Sequence, residues 1–133
     1  MRRRTANVFR VGLLASVLWV VPSGAWAAEG SVPVWEHPEA KGLMFELEAL
    51  VMKGRSLRSD PVGAPECEER ARLFSRDVRE FRRRTRQLTS NEEYAFALRQ
   101  AAERLEDCIR CDDTAERACD VVASHLQTVQ RHL

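Results

Sequence analysis

The chain has 133 residues, with 21 Lys and Arg against 20 Asp and Glu, a formal charge of +1 and four cysteines. That length is too short for two ordinary domains, and six Gly and five Pro exclude collagen-like and low-complexity chains. The composition speaks to compartment, architecture and covalent framework; it points to no reaction.

Residues 1–27 read as a secretory signal peptide. Met1–Arg10 carries Arg2, Arg3, Arg4 and Arg10 and no acid, Val11–Val21 is a short apolar run, and Pro22, Ser23 and Gly24 break it before Ala25-Trp26-Ala27. This is the basic, apolar and small-residue layout of an export signal, and the run is too short for a comfortable membrane span, which takes ~20 residues. Cleavage after Ala27 removes 27 of 133 residues and four of 21 basic ones, leaving 106 residues and a charge of about −3. The expected location is the periplasm or the exterior, with no transmembrane segment in the mature protein and no nucleic-acid partner.

Residues 28–37 read as an extended lead-in between Pro33 and Pro38, with Trp35 expected to cover an open end of the fold. Four helical segments follow in 38–133. The first, 38–57, takes Pro38 at its first position. Leu43, Leu47, Leu50, Gly54 and Leu57 are spaced 4, 3, 4, 3 along it. Residues 59–65 are a loop by composition. The second segment, 65–88, repeats the pattern through Cys67, Ala71, Phe74, Val78, Phe81, Thr85 and Leu88, with acids at its start and arginines at its end, as the helix dipole favours.

The third segment, 90–110, starts at a capping-box pattern, Ser90 with Glu93, and carries Tyr94, Leu98, Ala101, Leu105 and Cys108. Leu88-Thr89-Ser90-Asn91-Glu92 also resembles the Leu-Thr-x-x-Gln motif of helical periplasmic stress proteins, with Glu92 at the Gln position. Asp112, Asp113 and Thr114 offer N-caps for the fourth segment, 114–132, whose stripe is Ala115, Cys119, Val122, Leu126, Val129 and Leu133. Short connections and a 3.5-residue period predict an all-α, antiparallel up-down-up-down four-helix bundle. The same period also suits an apolar surface shared with a second chain, as in an oligomer.

All four cysteines lie on or beside these stripes. In an antiparallel hairpin, facing residues have numbers that sum to a constant set by the turn. The second turn, near Leu88–Asn91, gives about 178, and Cys67 with Cys111 sums to 178. The third turn gives about 226, and Cys108 with Cys119 sums to 227. The hairpins therefore favour Cys67–Cys111 and Cys108–Cys119. Of the three pairings four cysteines allow, Cys67–Cys108 with Cys111–Cys119 is the runner-up, one helical turn away. Structural disulfides suit an exported chain of this size. Cys108-Ile109-Arg110-Cys111 is also a C-x-x-C, but it ends a helix, where the dipole opposes a thiolate; a four-cysteine zinc site lacks a second C-x-x-C.

Phe96–Cys111 resembles the last helix of cytochrome c prime, an exported four-helix family with a late C-x-x-C-H haem site. Here Asp112 stands where that family has its haem-ligating His. The resemblance implies, as an alternative function, a haem-binding electron carrier of degenerate cytochrome c prime or b-type form. Met44, His125 and His132 are the candidate axial ligands, since the start of a first helix meets the end of a fourth in such a bundle. Arg76, Arg79, Arg82, Arg83, Arg84 and Arg86 form a basic run suited to an anionic surface or protein partner. No Ser-His-Asp order, glycine-rich phosphate loop or H-E-x-x-H motif is present in the sequence. The leading reading is a non-enzymatic binding or interaction module.

Overall fold

In the computed structural model, residues 32–133 are described. The signal-peptide expectation for 1–27 and residues 28–31 of the lead-in lie outside that range. Four α-helices make up the described fold, with no strand among the described residues: α1 (Glu36–Ser56), α2 (Pro65–Thr85), α3 (Glu93–Cys108) and α4 (Ala115–His132). A single 3-10 turn, Leu57–Ser59, continues α1 into the loop.

The apolar stripes enter one core. Leu43, Leu47 and Leu50 of α1, Val78 and Phe81 of α2, Leu98, Ala101 and Leu105 of α3, and Val122 and Val129 of α4 are all buried in a single cluster. The most extensive packing is between α3 and α4, and α1 packs on all three other helices. Alanines 95, 97, 101 and 102 leave α3 slim, so neighbouring backbones approach closely. α2 is the least embedded: its buried residues are only Cys67, Val78, Phe81 and Thr85.

Helix ends depart from the sequence expectation in ways that have physical causes. α1 begins at Glu36, two residues before Pro38, so Glu36 and His37 belong to the helix and not to an extended lead-in. Pro38 is harmless there, because the first helical N–H groups lack intrahelical partners in any case. Trp35 does not cover the bundle; it is 51% exposed, and the buried residue at this end is Glu36. α2 stops at Thr85 rather than 88, and α4 starts at Ala115.

α3 begins at Glu93, not at Ser90, and Ser90 forms no capping box. Its hydroxyl accepts from Glu92 N at 2.9 Å, while its own N–H donates to Glu36 at 2.8 Å. A capping box needs that N–H for Glu93; Glu36 has taken it. Asp112 acts at the other end of the molecule in the local manner expected of Asp near a helix start. Its Oδ1 accepts from Thr114 N at 3.0 Å and from the Thr114 hydroxyl at 2.6 Å.

Candidate functional site

Two bridges form one corner of the molecule. Cys67 joins Cys111, and Cys108 joins Cys119, the pairs whose numbers match the hairpin sums. The first ties the start of α2 to the loop after α3; the second ties the end of α3 to the first turns of α4. The corner is packed against α1. A Cβ at Gly54 would stand 2.5 Å from Cys108 Sγ and 3.2 Å from Cys119 Sγ, so only a glycine lets α1 lie this close. Leu57 is buried beside it, and Arg58 donates to the carbonyl oxygens of Cys108 at 2.9 Å and Asp112 at 3.4 Å. A guanidinium there meets carbonyls left unpaired at and just beyond the C-terminus of α3, where the dipole also favours a cation.

Two clefts open at this corner. One, of about 210 Å³, is lined by Leu57, Val62, Cys67 and Cys111 with Arg58 and Glu116. The other, of about 490 Å³, lies between α2 and the end of α3, lined by Ala71, Arg72, Ile109, Arg110 and Cys111. Cys111 borders both, and it is the only one of the four cysteines that is partly exposed.

The six-arginine run does not form one free basic patch. Arg84 donates to Glu39 at 2.8 Å and also reaches Glu46, both on α1. Arg82 pairs with Glu106 at 3.0 Å and Arg86 with Glu103 at 3.4 Å, both on α3. Arg83 pairs with Glu80 of its own helix at 2.6 Å. Arg76 and Arg79 are exposed and make no ion pair among the described residues. Thus α2, poor in buried apolar side chains, is held to α1 and α3 partly by charge. The hydrogen bond from Arg84 to Glu39, and the charge of Glu46, hold the Arg84 guanidinium above its already high ordinary pKa. Arg83 likewise holds the Glu80 carboxyl below the usual range.

At the opposite end, Glu36 is a fully buried carboxylate. It accepts from Thr89 N at 3.2 Å, Thr89 Oγ1 at 3.0 Å and Ser90 N at 2.8 Å. Both oxygens are thus engaged by the α2–α3 connection, the condition under which a buried carboxylate is tolerated. The sequence reading missed this residue. Its signal was faint: a Glu at the first position of α1, with a partner 53 residues away.

The three candidate haem ligands sit in different surroundings. Met44 is partly buried against the core. His132 lies 3.2 Å from Glu93. His125 is partly buried; burial, and secondarily the charge of Arg104, lower its pKa and favour the neutral ring. Asp112 pairs with Arg110 at 2.8 Å. Hydrogen bonds from Thr114, and then the Arg110 charge, lower its pKa. Among the described residues no group of three or more His, Cys, Asp or Glu is placed to hold a metal, and no helix is long and apolar enough to cross a membrane.

One further surface stands out on α1. Leu43, Leu47 and Leu50 point inward, yet Phe45 and Met52, two turns apart on the opposite side, are 62% and 68% exposed. No protein-family model, no curated protein and no solved structure matches the chain.

Proposed function

We propose that the protein is exported through residues 1–27 and acts in the periplasm or outside as a non-enzymatic binding module, built as an up-down-up-down four-helix bundle. The observation that carries the reading is the pair of disulfides, which use all four cysteines. Such bridges persist in oxidising compartments and reinforce domains too small for a large core. Side-chain contacts support the alternating helix directions. The start of α1 meets the α2–α3 connection through Glu36, and the end of α4 meets the start of α3 through His132 and Glu93. The end of α1 meets the α3–α4 corner through Arg58.

Binding is supported by the outward apolar pair Phe45 and Met52, which α1 does not need for its own core. The unpaired Arg76 and Arg79 are what remains of the basic run for an anionic partner. The test is a pull-down with the purified mature chain, its Phe45→Ser/Met52→Ser variant and its Arg76→Gln/Arg79→Gln variant. Loss of the captured partner in the first variant supports docking through α1, and loss in the second assigns it to the arginines. Capture unchanged in both removes these surfaces from the proposal. A Soret band in the same sample would replace the binding module with the haem carrier.

A further inference from the structure

We propose that the Cys67–Cys111 bridge is a site of thiol–disulfide exchange with an external dithiol, and that its opening frees the first half of α2 while the rest of the bundle stays closed. The inference is independent of the binding reading above. It rests on an asymmetry between the two bridges. Cys108 and Cys119 are 0% and 1% exposed, sealed under Gly54 of α1. Cys67 is 2% exposed, but its partner Cys111 is partly exposed and borders both clefts of the corner. An attacking thiolate must reach a sulfur before it can exchange. Cys111 is the one cysteine of the four that is partly exposed, and the two clefts it borders give an approach to the bridge in the folded state.

Exchange there balances without a further reactant. The thiolate of the dithiol attacks Cys111 Sγ, the bond to Cys67 breaks, and Cys67 leaves as the thiolate. The second thiol of the reagent, once deprotonated, attacks the mixed disulfide, releases Cys111 as a thiolate and closes the reagent into its own disulfide. The protein bridge is reduced by two electrons and the dithiol is oxidised by two. The reverse sequence, with an oxidised partner, closes the bridge again.

The consequence follows from how α2 is held. Between Pro65 and Asp77 the only buried side chain is Cys67 itself; Ala71 and Phe74 are half-buried. The remaining ties of this half are surface contacts. Arg70 donates to Asp60 and Ser56, Lys53 pairs with Asp77 at 2.7 Å, and the same ammonium lies over the Phe74 ring. Exposed pairs of this kind hold weakly. The second half is anchored by Val78, Phe81 and Thr85 in the core and by Arg82 and Arg84. The Pro61–Ala64 connection, with Gly63 at φ +76°, supplies the turn from which the freed half would swing.

The test is graded reduction of the oxidised protein with dithiothreitol, alkylation of the freed thiols and peptide mapping, with amide hydrogen exchange on the same samples. Cys67 and Cys111 are expected to be alkylated together at reductant concentrations at least about tenfold below those that expose Cys108 and Cys119. Exchange should rise over residues 61–77 and not over α3 and α4. A Cys67→Ala/Cys111→Ala variant should show the same local rise without reductant. Opening of Cys108–Cys119 first or simultaneously overturns the proposal. So does selective opening of Cys67–Cys111 with exchange either unchanged over 61–77 or raised across the whole chain.

Discussion

Gly54→Ala sets two opposed effects against each other at one atom. Alanine is the better helix former by up to about 1 kcal/mol, with less of that gain near a helix end. The new methyl, however, would stand 2.5 Å from Cys108 Sγ, 3.1 Å from the Cys108 carbonyl oxygen and 3.2 Å from Cys119 Sγ. None of these atoms is the free end of a flexible side chain: two belong to a closed disulfide and one to the backbone. α1 must therefore shift outward, and overpacking of this kind costs roughly 1–3 kcal/mol. The steric loss outweighs the propensity gain, and a net destabilisation of about 1–2 kcal/mol is expected. For a domain of this size that corresponds to a fall in Tm of roughly 4–8 °C per kcal/mol. Urea unfolding followed by circular dichroism measures it. The decisive comparison is the same substitution in a Cys108→Ala/Cys119→Ala background, where the two sulfur contacts are gone. There the cost should shrink by at least about 1 kcal/mol, in the range seen for contacting pairs. Stabilisation by Gly54→Ala in the bridged protein, or an equal cost in both backgrounds, would refute the reasoning.

Three other outcomes follow from the same contacts. Glu36→Ala strands the N–H groups of Thr89 and Ser90 and should cost about 2–4 kcal/mol in urea unfolding, with faster amide exchange at both; a loss below about 0.5 kcal/mol would show the contact to be idle. Arg84→Gln, which removes the links to Glu39 and Glu46, should cost about 1 kcal/mol, whereas Arg76→Gln should stay within about 0.5 kcal/mol; equal effects would count against the charge-held α2. The pH dependence is set in part by His125, whose folded pKa is lowered. The unfolded chain then binds the proton more readily, so this contribution is complete above the ordinary value of 6.5 and is lost as pH falls below it. Urea midpoints between pH 5 and 8 should therefore decline less steeply on the acid side in His125→Gln; an unchanged profile would remove His125 as a source.

How much could be read in advance depended on whether the deciding partner was near in sequence. The stripe Leu43, Leu47, Leu50 repeats every three or four residues, and such a period names its own buried face. The facing cysteines followed from the same regularity, since short turns fix which residues of a hairpin lie opposite. Ser90 misled because the local pattern was complete and a distant carboxylate competed for its N–H. The arginines misled for a similar reason: a run of six charges does not disclose that its C-terminal end lies between two helices, with Glu39 and Glu46 of α1 beside Arg84 and Glu103 and Glu106 of α3 beside Arg86 and Arg82. Gly54 was visible only as a gap in a leucine stripe. Its reason, two sulfurs brought from α3 and α4, exists only after packing.

The two bridges interleave along the chain: Cys108 lies inside the loop closed by Cys67 and Cys111, while its partner Cys119 lies outside. As the polypeptide emerges from its N-terminus, Cys67 meets the thiol of Cys108 before that of Cys111. Pairing in strict order of emergence would join Cys67 to Cys108 and Cys111 to Cys119, which is not the native set. The correct set forms either after α3 and α4 have docked and withdrawn Cys108 toward Cys119, or by reshuffling an early Cys67–Cys108 bond. The native set is therefore selected by the packing of α3 against α4 and not by the order of the cysteines along the chain.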